Sequence, residues 1–259
     1  MSLFSSVDSW VGSTPDADRV VAYLDYTARA ATGIKHYAMA KHTLRNPQGL
    51  VLDLGCGAGH DLELLDFAGV PTVGLDSSAV LLRVARERVG DNSRLVQGVG
   101  EALPFRDASL AGCRIERVLQ HVASPGGVLD EVVRCLRPGA LLTVYEPDWS
   151  SFRVRGPAGD EVAEWISNVR HPAVGGALWD LFETAGVDVL DRVEERSVWR
   201  SLETLDRAIG LDLSVERAVR AGRIGRADAD RWVSDQRARE SGGEFRSTLA
   251  KILVVGQKR

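Results

Sequence analysis

The hydrophobic pattern of this chain alternates between short apolar runs and stretches with apolar residues at helical intervals. Five strands are predicted to begin at residues 51, 73, 94, 110 and 141, and the fifth spans residues 141–145. Helices are predicted between them, over residues 61–68, 79–89, 118–122 and 127–136. Strand–helix alternation at this spacing indicates a parallel sheet with helices on both faces. Right-handed crossovers then place the loops at the carboxyl ends of the strands on one rim.

The two ends of the chain have a different pattern. Residues 17–32 and 34–44 predict two helices before the first strand. After residue 148, further elements are predicted: helices over 160–169, 177–185, 202–221 and 227–239, and strands over 187–193 and 249–255. The last two strands are expected to form an antiparallel edge pair, with the helices between them covering the ligand-binding face.

The expected fold is therefore one α/β domain with a doubly wound, Rossmann-like sheet of seven strands, mostly parallel with an antiparallel edge, and a helical lid. Residues 1–46 would form an N-terminal helical cap, 47–150 a cofactor-binding core, and 151–259 the substrate-side helices and terminal strands. No linker divides the chain, so these three parts are predicted to belong to one domain.

The most specific chemical signal lies in residues 51–61, VLDLGCGAGHD. The apolar strand is followed by Gly55, Gly57 and Gly59 and then by the start of a helix. Such glycines let the backbone approach a ligand closely and leave the first N–H groups of the helix accessible. The next strand ends at Asp76, whose carboxylate is placed to accept hydrogen bonds from the two hydroxyls of a ribose. The combination predicts a cofactor that contains a nucleoside.

The spacing of the glycines distinguishes between cofactors. A dinucleotide fingerprint has the spacing G-x-G-x-x-G, whereas this loop has G-x-G-x-G preceded by Asp53. An acidic residue so close to the loop would repel a pyrophosphate but suits a ligand with an ammonium group. A nicotinamide-dependent oxidoreductase is therefore disfavoured. The segment resembles motif I of class I S-adenosylmethionine-dependent methyltransferases, in which an acidic residue precedes G-x-G-x-G.

Further segments resemble the ubiquinone/menaquinone-biosynthesis-type branch of that family. They follow in order along the chain, at residues 98–105, 116–122, 129–139, 146–149 and 171–175. The resemblance implies S-adenosylmethionine as the cofactor and the carboxyl rim of the sheet as its site. It implies cofactor contacts by the following residues: Asp53, Gly55, Gly57, Gly59, Asp76, Ser77, Gly100, Glu101 and Ala102. Arg117, expected at the end of the fourth strand, is a further candidate for a cofactor contact or forms a structural ion pair with Glu116. Val99 departs from the family pattern, which has an aspartate here to hold the adenine, so Glu101 or backbone groups would have to replace that contact.

The acceptor side offers fewer signals. His121 is a candidate base that could take a proton from a hydroxyl during methyl transfer, or a packing residue. Glu116 is expected at the mouth of the site, as a second catalytic candidate or as part of a structural ion pair. Tyr26, Glu146 and Trp149 are predicted on the substrate side, although a helix face or a turn with a core indole would also explain them.

Composition narrows the class of substrate. The net charge of −4 and the absence of a long basic run disfavour nucleic acid as the principal substrate. No apolar stretch is long enough to cross a bilayer, and no signal peptide is recognised, so a cytoplasmic location and no membrane partner are expected. The three cysteines form neither a metal-ligand nor a disulfide pattern, so no metal is predicted. Arginine greatly outnumbers lysine, which suggests a GC-rich genome and makes a natural-product or quinone-like acceptor plausible.

The resulting prediction is a methyltransferase that acts on a small molecule at oxygen, nitrogen or carbon. The alternative is a protein that binds S-adenosylmethionine without transferring the methyl group. A nucleic-acid methyltransferase is disfavoured because Glu116-Arg-Val-Leu119 occupies the place of an N/D-P-P-Y/F motif. Oligomeric state is left open.

Overall fold

The computed structural model describes residues 14–29, 33–45, 47–90, 94–156 and 169–259, and helices and strands alternate along these ranges. The helices are α1 Thr14–Arg29, α2 Gly33–Arg45, α3 His60–Phe67, α4 Ala79–Val89, α5 Pro125–Cys135, α6 Val174–Thr184, α7 Leu202–Ile209, α8 Leu211–Arg220 and α9 Arg226–Ser241. The strands are β1 Val51–Leu54, β2 Thr72–Asp76, β3 Arg94–Gln97, β4 Leu110–Glu116, β5 Leu136–Val154, β6 Val187–Trp199 and β7 Ser247–Lys258.

The seven strands form one sheet in the order β3-β2-β1-β4-β5-β7-β6. The first five strands are mutually parallel, and β7 runs antiparallel between β5 and β6. The predicted fold class, with its mostly parallel sheet and antiparallel edge, is confirmed. The carboxyl ends of β1, β2, β4 and β5 lie along one edge of the sheet, which we call the carboxyl rim. The division of the domain at residues 46 and 150 stays a prediction.

The antiparallel part of the sheet is longer than the sequence pattern predicted. The pairing of β5 with β7 is interrupted after Asp148 and resumes from Arg153 to Val154, and that of β6 with β7 continues to Trp199. The prediction that the fifth strand spans residues 141–145 and the sixth 187–193 was therefore too short. Polar residues obscure these extensions in the sequence, but the strands persist there because β7 pairs with β6 as far as Trp199 and again with β5 at Arg153 and Val154.

Two predicted helices differ from the structure. Residues 118–122 form turns instead of a helix. The predicted helix over 202–221 is divided into α7 and α8 at Gly210, which adopts a left-handed conformation with φ 66°. Most of the predicted helix over 160–169 lies outside the described residues.

Two apolar clusters hold these elements together. The larger cluster lies between the sheet and the flanking helices and includes Leu52, Ile115 and Leu142. The second cluster joins the extended end of β5, through Phe152 and Val154, to α7, α8 and α9. Because α7 also contacts α1, helices from both ends of the chain lie at the carboxyl rim. None of the helices in the described ranges is both long and apolar enough to cross a membrane.

Candidate functional site

The loop between β1 and α3 has the backbone conformation that its glycines predict. Gly55, Gly57 and Gly59 all have positive φ, at 73°, 52° and 81°. A β-carbon on Gly55 would lie 2.2 Å from Cγ2 of Val118, in the turn after β4. Gly59 is the N-cap residue of α3, and because glycine has no side chain, no side-chain hydrogen bond is made to the N-terminus of this helix. The loop therefore passes close to the adjacent turn, and no capping side chain occupies the first amides of α3.

Asp76 lies at the end of β2, directly beside this loop. Its Oδ2 accepts a hydrogen bond from the Gly57 amide at 2.9 Å, and its Oδ1 accepts one from the Ser78 amide at 2.8 Å. Burial raises the pKa of this carboxyl, although the backbone hydrogen bonds oppose the shift. Ser78, and not Ser77, is the N-cap of α4. The carboxylate is thus oriented at the carboxyl rim, and its predicted contact with a ribose stays a prediction.

The N-terminal helix α1 covers the glycine loop. A β-carbon built on Gly57 would lie 3.6 Å from Cδ1 of Leu24, on α1. Asp25 Oδ1 accepts hydrogen bonds from His60 Nε2 at 2.6 Å and from Arg88 at 2.8 Å, so α1 is connected to both α3 and α4. The predicted position of the N-terminal helices over the site is consistent with these contacts.

Arg114 is the centre of a buried charged cluster below the rim. It lies beside Asp53 in the parallel register of β1 and β4, and its Nη1 donates to Asp53 Oδ1 at 2.8 Å. Its Nη2 contacts Glu116 and lies 2.7 Å from Asp61 Oδ2. Lys35, on α2, completes the cluster at 3.1 Å from Asp61 and 3.2 Å from Glu116. Asp53 is 1% exposed, so it faces Arg114 inside the protein and not the open rim. A direct cofactor contact by Asp53 is therefore not supported by its position.

Opposed effects set the charge states within this cluster. Burial raises the pKa of Asp53 although Arg114 opposes the shift. Burial also acts to raise the pKa of Asp61, but the positive charges of Arg114 and Lys35 hold it below its usual range. Glu116 is engaged with Arg114 and Lys35, which favours its structural interpretation over that of a free catalytic base.

The turn after β4 is held by Glu146 of β5. Glu146 Oε1 accepts hydrogen bonds from the amides of Val118 and Leu119 at 2.7 and 2.6 Å. These bonds fix the backbone at the start of the turn that stands in place of the predicted helix over residues 118–122. Glu146 has no exposed surface, and burial raises its pKa to about 8 although the two amides oppose the shift. Glu146 thus holds the turn from inside the protein, and its predicted substrate contact stays a prediction.

Arg117 begins this turn in an unusual conformation. Its φ of 56° is one that L side chains rarely adopt, and its amide donates to the carbonyl oxygen of Tyr145 at 2.9 Å. Its guanidinium donates to Tyr23 Oη at 3.0 Å and to Thr27 Oγ1 at 3.3 Å, both on α1. Backbone strain of this kind is retained where the surrounding contacts over-determine it. Arg117 therefore joins α1 to the turn after β4.

His121 lies half-buried near the end of the same turn. Burial, together with the positive charge of Arg117, lowers its pKa to about 4. The imidazole is thus neutral at physiological pH but a weaker base than a histidine with an ordinary pKa. Its catalytic role stays a prediction.

The segment proposed to hold the adenine is tightly packed. Gly100 is buried, and a β-carbon there would lie 3.1 Å from the side chain of Val128. Glu101 Oε1 accepts a hydrogen bond from the Ala123 amide at 2.8 Å, and the Ala102 amide donates to the carbonyl oxygen of Val99 at 3.3 Å. Glu101 therefore connects this segment to the turn after β4, and its predicted cofactor contact, with those of Gly100 and Ala102, stays untested.

A cavity of about 200 Å³ opens at the carboxyl rim below α1. Aromatic side chains of Tyr26, Tyr145, Trp149 and Trp199 line it. The cavity is also lined by Lys35, Glu116, Arg117 and Lys251. Nε1 of Trp149 donates to Gln120 Oε1 at 2.6 Å, which orients the indole. The predicted substrate-side residues Tyr26 and Trp149 are thus brought together, whereas Glu146 is not among the lining residues. We call this the rim cavity.

Two residues of this region were missed by the sequence analysis. Arg114 and Lys251 are charged residues with apolar neighbours on both sides within the strands β4 and β7. In β4 the alternation of side chains places Arg114 and Glu116 on the same face. A charge in the middle of an apolar strand, read together with this alternation, was the available signal.

Comparison with known proteins shows that the central part of the chain matches a known family. Residues 52–144 match the model of a family described as methyltransferase domain. An uncharacterized 37.1 kDa protein in transposon TN4556 of Streptomyces fradiae is 34% identical over 248 residues, which cover 92% of this chain and 71% of that protein. A demethylmenaquinone methyltransferase of Renibacterium salmoninarum is 36% identical over 110 residues, covering 41% of this chain and 46% of the relative. The chain thus spans less than half the length of this second relative.

Solved structures show the same fold at low sequence identity. The phosphoethanolamine N-methyltransferase 2 of Haemonchus contortus, solved in complex with S-adenosyl-L-methionine, superposes with a TM-score of 0.60 at 16% identity, covering all of this chain and 60% of that one. The YcgJ protein of Bacillus subtilis has a TM-score of 0.57 at 20% identity and covers 86% of this chain and 99% of that one. At such identities the likeness establishes the fold alone.

Proposed function

Because this chain belongs to the S-adenosylmethionine-dependent methyltransferase family, with S-adenosylmethionine as its cofactor, we propose that it methylates a small-molecule acceptor bound in the rim cavity. The observation that carries the proposal is the position of the cavity. It lies below α1, at the carboxyl rim, and the same helix covers the glycine loop. Ligands of open α/β sheets bind at this rim.

The residues present fit the cofactor. The uncapped N-terminus of α3 offers amide donors to an anionic group such as the carboxylate of the methionine portion. The Asp76 carboxylate at the end of β2 suits a ribose diol. We therefore expect Asp76 and the loop of Gly55, Gly57 and Gly59 to hold the cofactor.

S-adenosylmethionine supplies an electrophilic methyl group on a sulfonium, so the protein has mainly to align the acceptor and exclude water. In this chain α1, connected to α3, α4 and the turn after β4, provides the cover. Trp149, fixed by Gln120, and Tyr26 provide walls that position the acceptor. His121, neutral at physiological pH, is the candidate to accept a proton where the acceptor has one to lose.

The branch of the family and the acceptor atom belong to the proposal as well. Relatives named demethylmenaquinone methyltransferases align with about two fifths of the chain. This agrees with the ubiquinone/menaquinone-type motifs, but does not extend the likeness to the helices that line the rim cavity. Methylation at oxygen, nitrogen or carbon is therefore kept open within the proposal, as is binding of the cofactor without methyl transfer.

Titration calorimetry with S-adenosylmethionine, S-adenosylhomocysteine and NADH tests the cofactor site. We expect micromolar binding of the first two and none of NADH. Asp76→Ala should weaken binding at least tenfold, because it removes an acceptor for the ribose hydroxyls, worth about 1.5–3 kcal/mol for a charged hydrogen bond. Asp66→Ala, at an exposed position of α3, is the matched control and should bind normally.

The transfer step is tested by incubation of the protein with methyl-labelled S-adenosylmethionine and a panel of small aromatic and aliphatic acceptors. Transfer of label to at least one acceptor supports the proposal. Tight cofactor binding without transfer to any acceptor would favour the alternative, and an absence of cofactor binding would contradict both.

A further inference from the structure

The rim cavity contains three basic side chains that differ in their contacts. Lys35 is paired with Asp61 and Glu116, and Arg117 contacts Glu116 and two hydroxyls of α1. Lys251 differs: within the described part of the chain its ammonium makes no hydrogen bond or ion pair. Its observed contact is with the ring of Trp199, whose centroid lies 5.9 Å from Nζ. Lys251 is thus the cation in this cavity that is available to a ligand.

The position of Lys251 in the sheet explains why its side chain lies at the rim cavity. It lies in β7, between Pro147 of β5 and Glu195 of β6 in the antiparallel register, and its neighbours along β7 are the buried Ala250 and Ile252. Neighbouring residues of a strand face opposite sides of the sheet, so the rim cavity receives this side chain while Ala250 and Ile252 face the core. The backbone of a central strand therefore fixes the direction in which the Lys251 side chain leaves the sheet, toward the cavity wall.

The surroundings of Lys251 favour an anionic partner. Burial lowers the pKa of its amine, and Arg117 adds to this effect, whereas Glu195 and Glu116 oppose it. A half-buried ammonium that lacks a hydrogen-bonded counter-ion carries an uncompensated desolvation cost. A ligand carboxylate at Nζ would remove this cost and gain a charge-assisted hydrogen bond.

The size and walls of the cavity limit the rest of the ligand. Tyr26, Tyr145, Trp149 and Trp199 present aromatic surfaces, which favour a flat, apolar ring. A cavity of about 150 Å³ accommodates benzene, and the rim cavity measures about 200 Å³. It therefore has room for one aromatic ring with small substituents.

We propose that the acceptor is a single-ring aromatic compound with a carboxylate, and that Lys251 binds this carboxylate. This inference rests on the proposed function, since it identifies the class of molecule that the rim cavity accepts. A purely structural Lys251, resting on Trp199 with its ammonium toward solvent, would not distinguish acids from neutral analogues.

Matched pairs of ligands test the inference by calorimetry on the full chain saturated with S-adenosylhomocysteine. The probes are benzoate and its hydroxy and amino derivatives, each compared with the corresponding benzamide. We expect at least one acid to bind at least tenfold more tightly than its amide. In Lys251→Gln this preference should fall to less than threefold. Lys41→Gln, at a lysine on α2 that pairs with Asp191 outside the cavity, should keep the full preference.

The affinity of each variant for S-adenosylhomocysteine is the control for folding and is expected to be unchanged in Lys251→Gln. Equal binding of acids and amides, a preference that persists in Lys251→Gln, or no binding by any acid would overturn the inference. If S-adenosylhomocysteine binds while the acid preference is absent, the inference fails alone. If S-adenosylhomocysteine does not bind the unmodified chain, the proposed function fails as well.

Discussion

At the scale of single residues, two glycines with the same backbone conformation have different surroundings. Gly55 and Gly69 both have φ 73°. A β-carbon at Gly55 would overlap Val118, whereas nothing lies within 4 Å of one at Gly69. A comparison of substitutions at these two glycines therefore distinguishes the cost of a positive φ from the cost of a steric overlap with the neighbouring turn.

We expect Gly55→Ala to lower the free energy of unfolding by about 2–5 kcal/mol, because backbone strain of about 1–2 kcal/mol adds to overpacking of about 1–3 kcal/mol. Gly69→Ala should cost only the strain. Urea denaturation measures both. Gly55→Ala is also expected to weaken binding of S-adenosylhomocysteine by displacing the loop, which calorimetry tests. Equal destabilisation by the two substitutions would show that the contact with Val118 does not constrain the loop.

At the scale of elements, α1 is connected to the site by a few polar contacts and to α4 by a small apolar cluster that includes Val20 and Leu81. Asp25 binds His60 and Arg88, and Arg117 reaches Tyr23 and Thr27 on the same helix. Elements held by few apolar contacts open at lower free energy than the core. We therefore expect that α1 can be loosened from the glycine loop by a substitution that leaves the rest of the protein folded.

Asp25→Asn should increase the rate of amide hydrogen exchange in α1 and weaken binding of S-adenosylhomocysteine several-fold. The free energy of unfolding should change by less than about 1 kcal/mol, because partly exposed ion pairs contribute little to stability. Asp191→Asn is the matched control, since Asp191 is equally exposed (33% against 34%) and pairs with Lys41 away from the glycine loop. Faster exchange in α1 for both variants, or for neither, would contradict this role of Asp25.

At the scale of the whole molecule, the cluster around Arg114 joins elements distant in sequence. Asp53 belongs to β1, Asp61 to α3 and Lys35 to α2, whereas Arg114 and Glu116 belong to β4. Removal of the central cation would leave three carboxylates close together and buried. Loss of one partner from a buried pair costs about 3–5 kcal/mol.

Arg114→Gln is expected to lower the free energy of unfolding at pH 7 by about this amount. The loss should diminish toward pH 5: without Arg114 the folded-state pKa values of the carboxyls rise above their unfolded values, so the variant gains stability as the pH falls. Denaturation at the two pH values measures this. Arg226→Gln, which breaks an exposed pair with Glu216, should cost less than about 1 kcal/mol. A similar cost for both variants would refute the importance of the cluster.

The strand–helix alternation, the glycine loop and Asp76 were predictable because each depends on residues close together in sequence. Apolar periodicity reports local burial, and a glycine-rich turn between a strand and a helix has few conformations available. The family and its cofactor followed from these segments. The bounds of β5 and β6 were less predictable, because their polar ends are strands only where β7 pairs with them.

The sequence by itself thus determined the sheet, the order of its elements and the cofactor. Only the tertiary structure decided the partners of charged residues: Asp53 faces Arg114, Glu146 holds the turn after β4, and Lys251 enters the rim cavity. The physical reason is that a carboxylate or ammonium has no preferred sequence distance to its partner. Its role depends on which strands become neighbours, and that is set by packing of the whole chain.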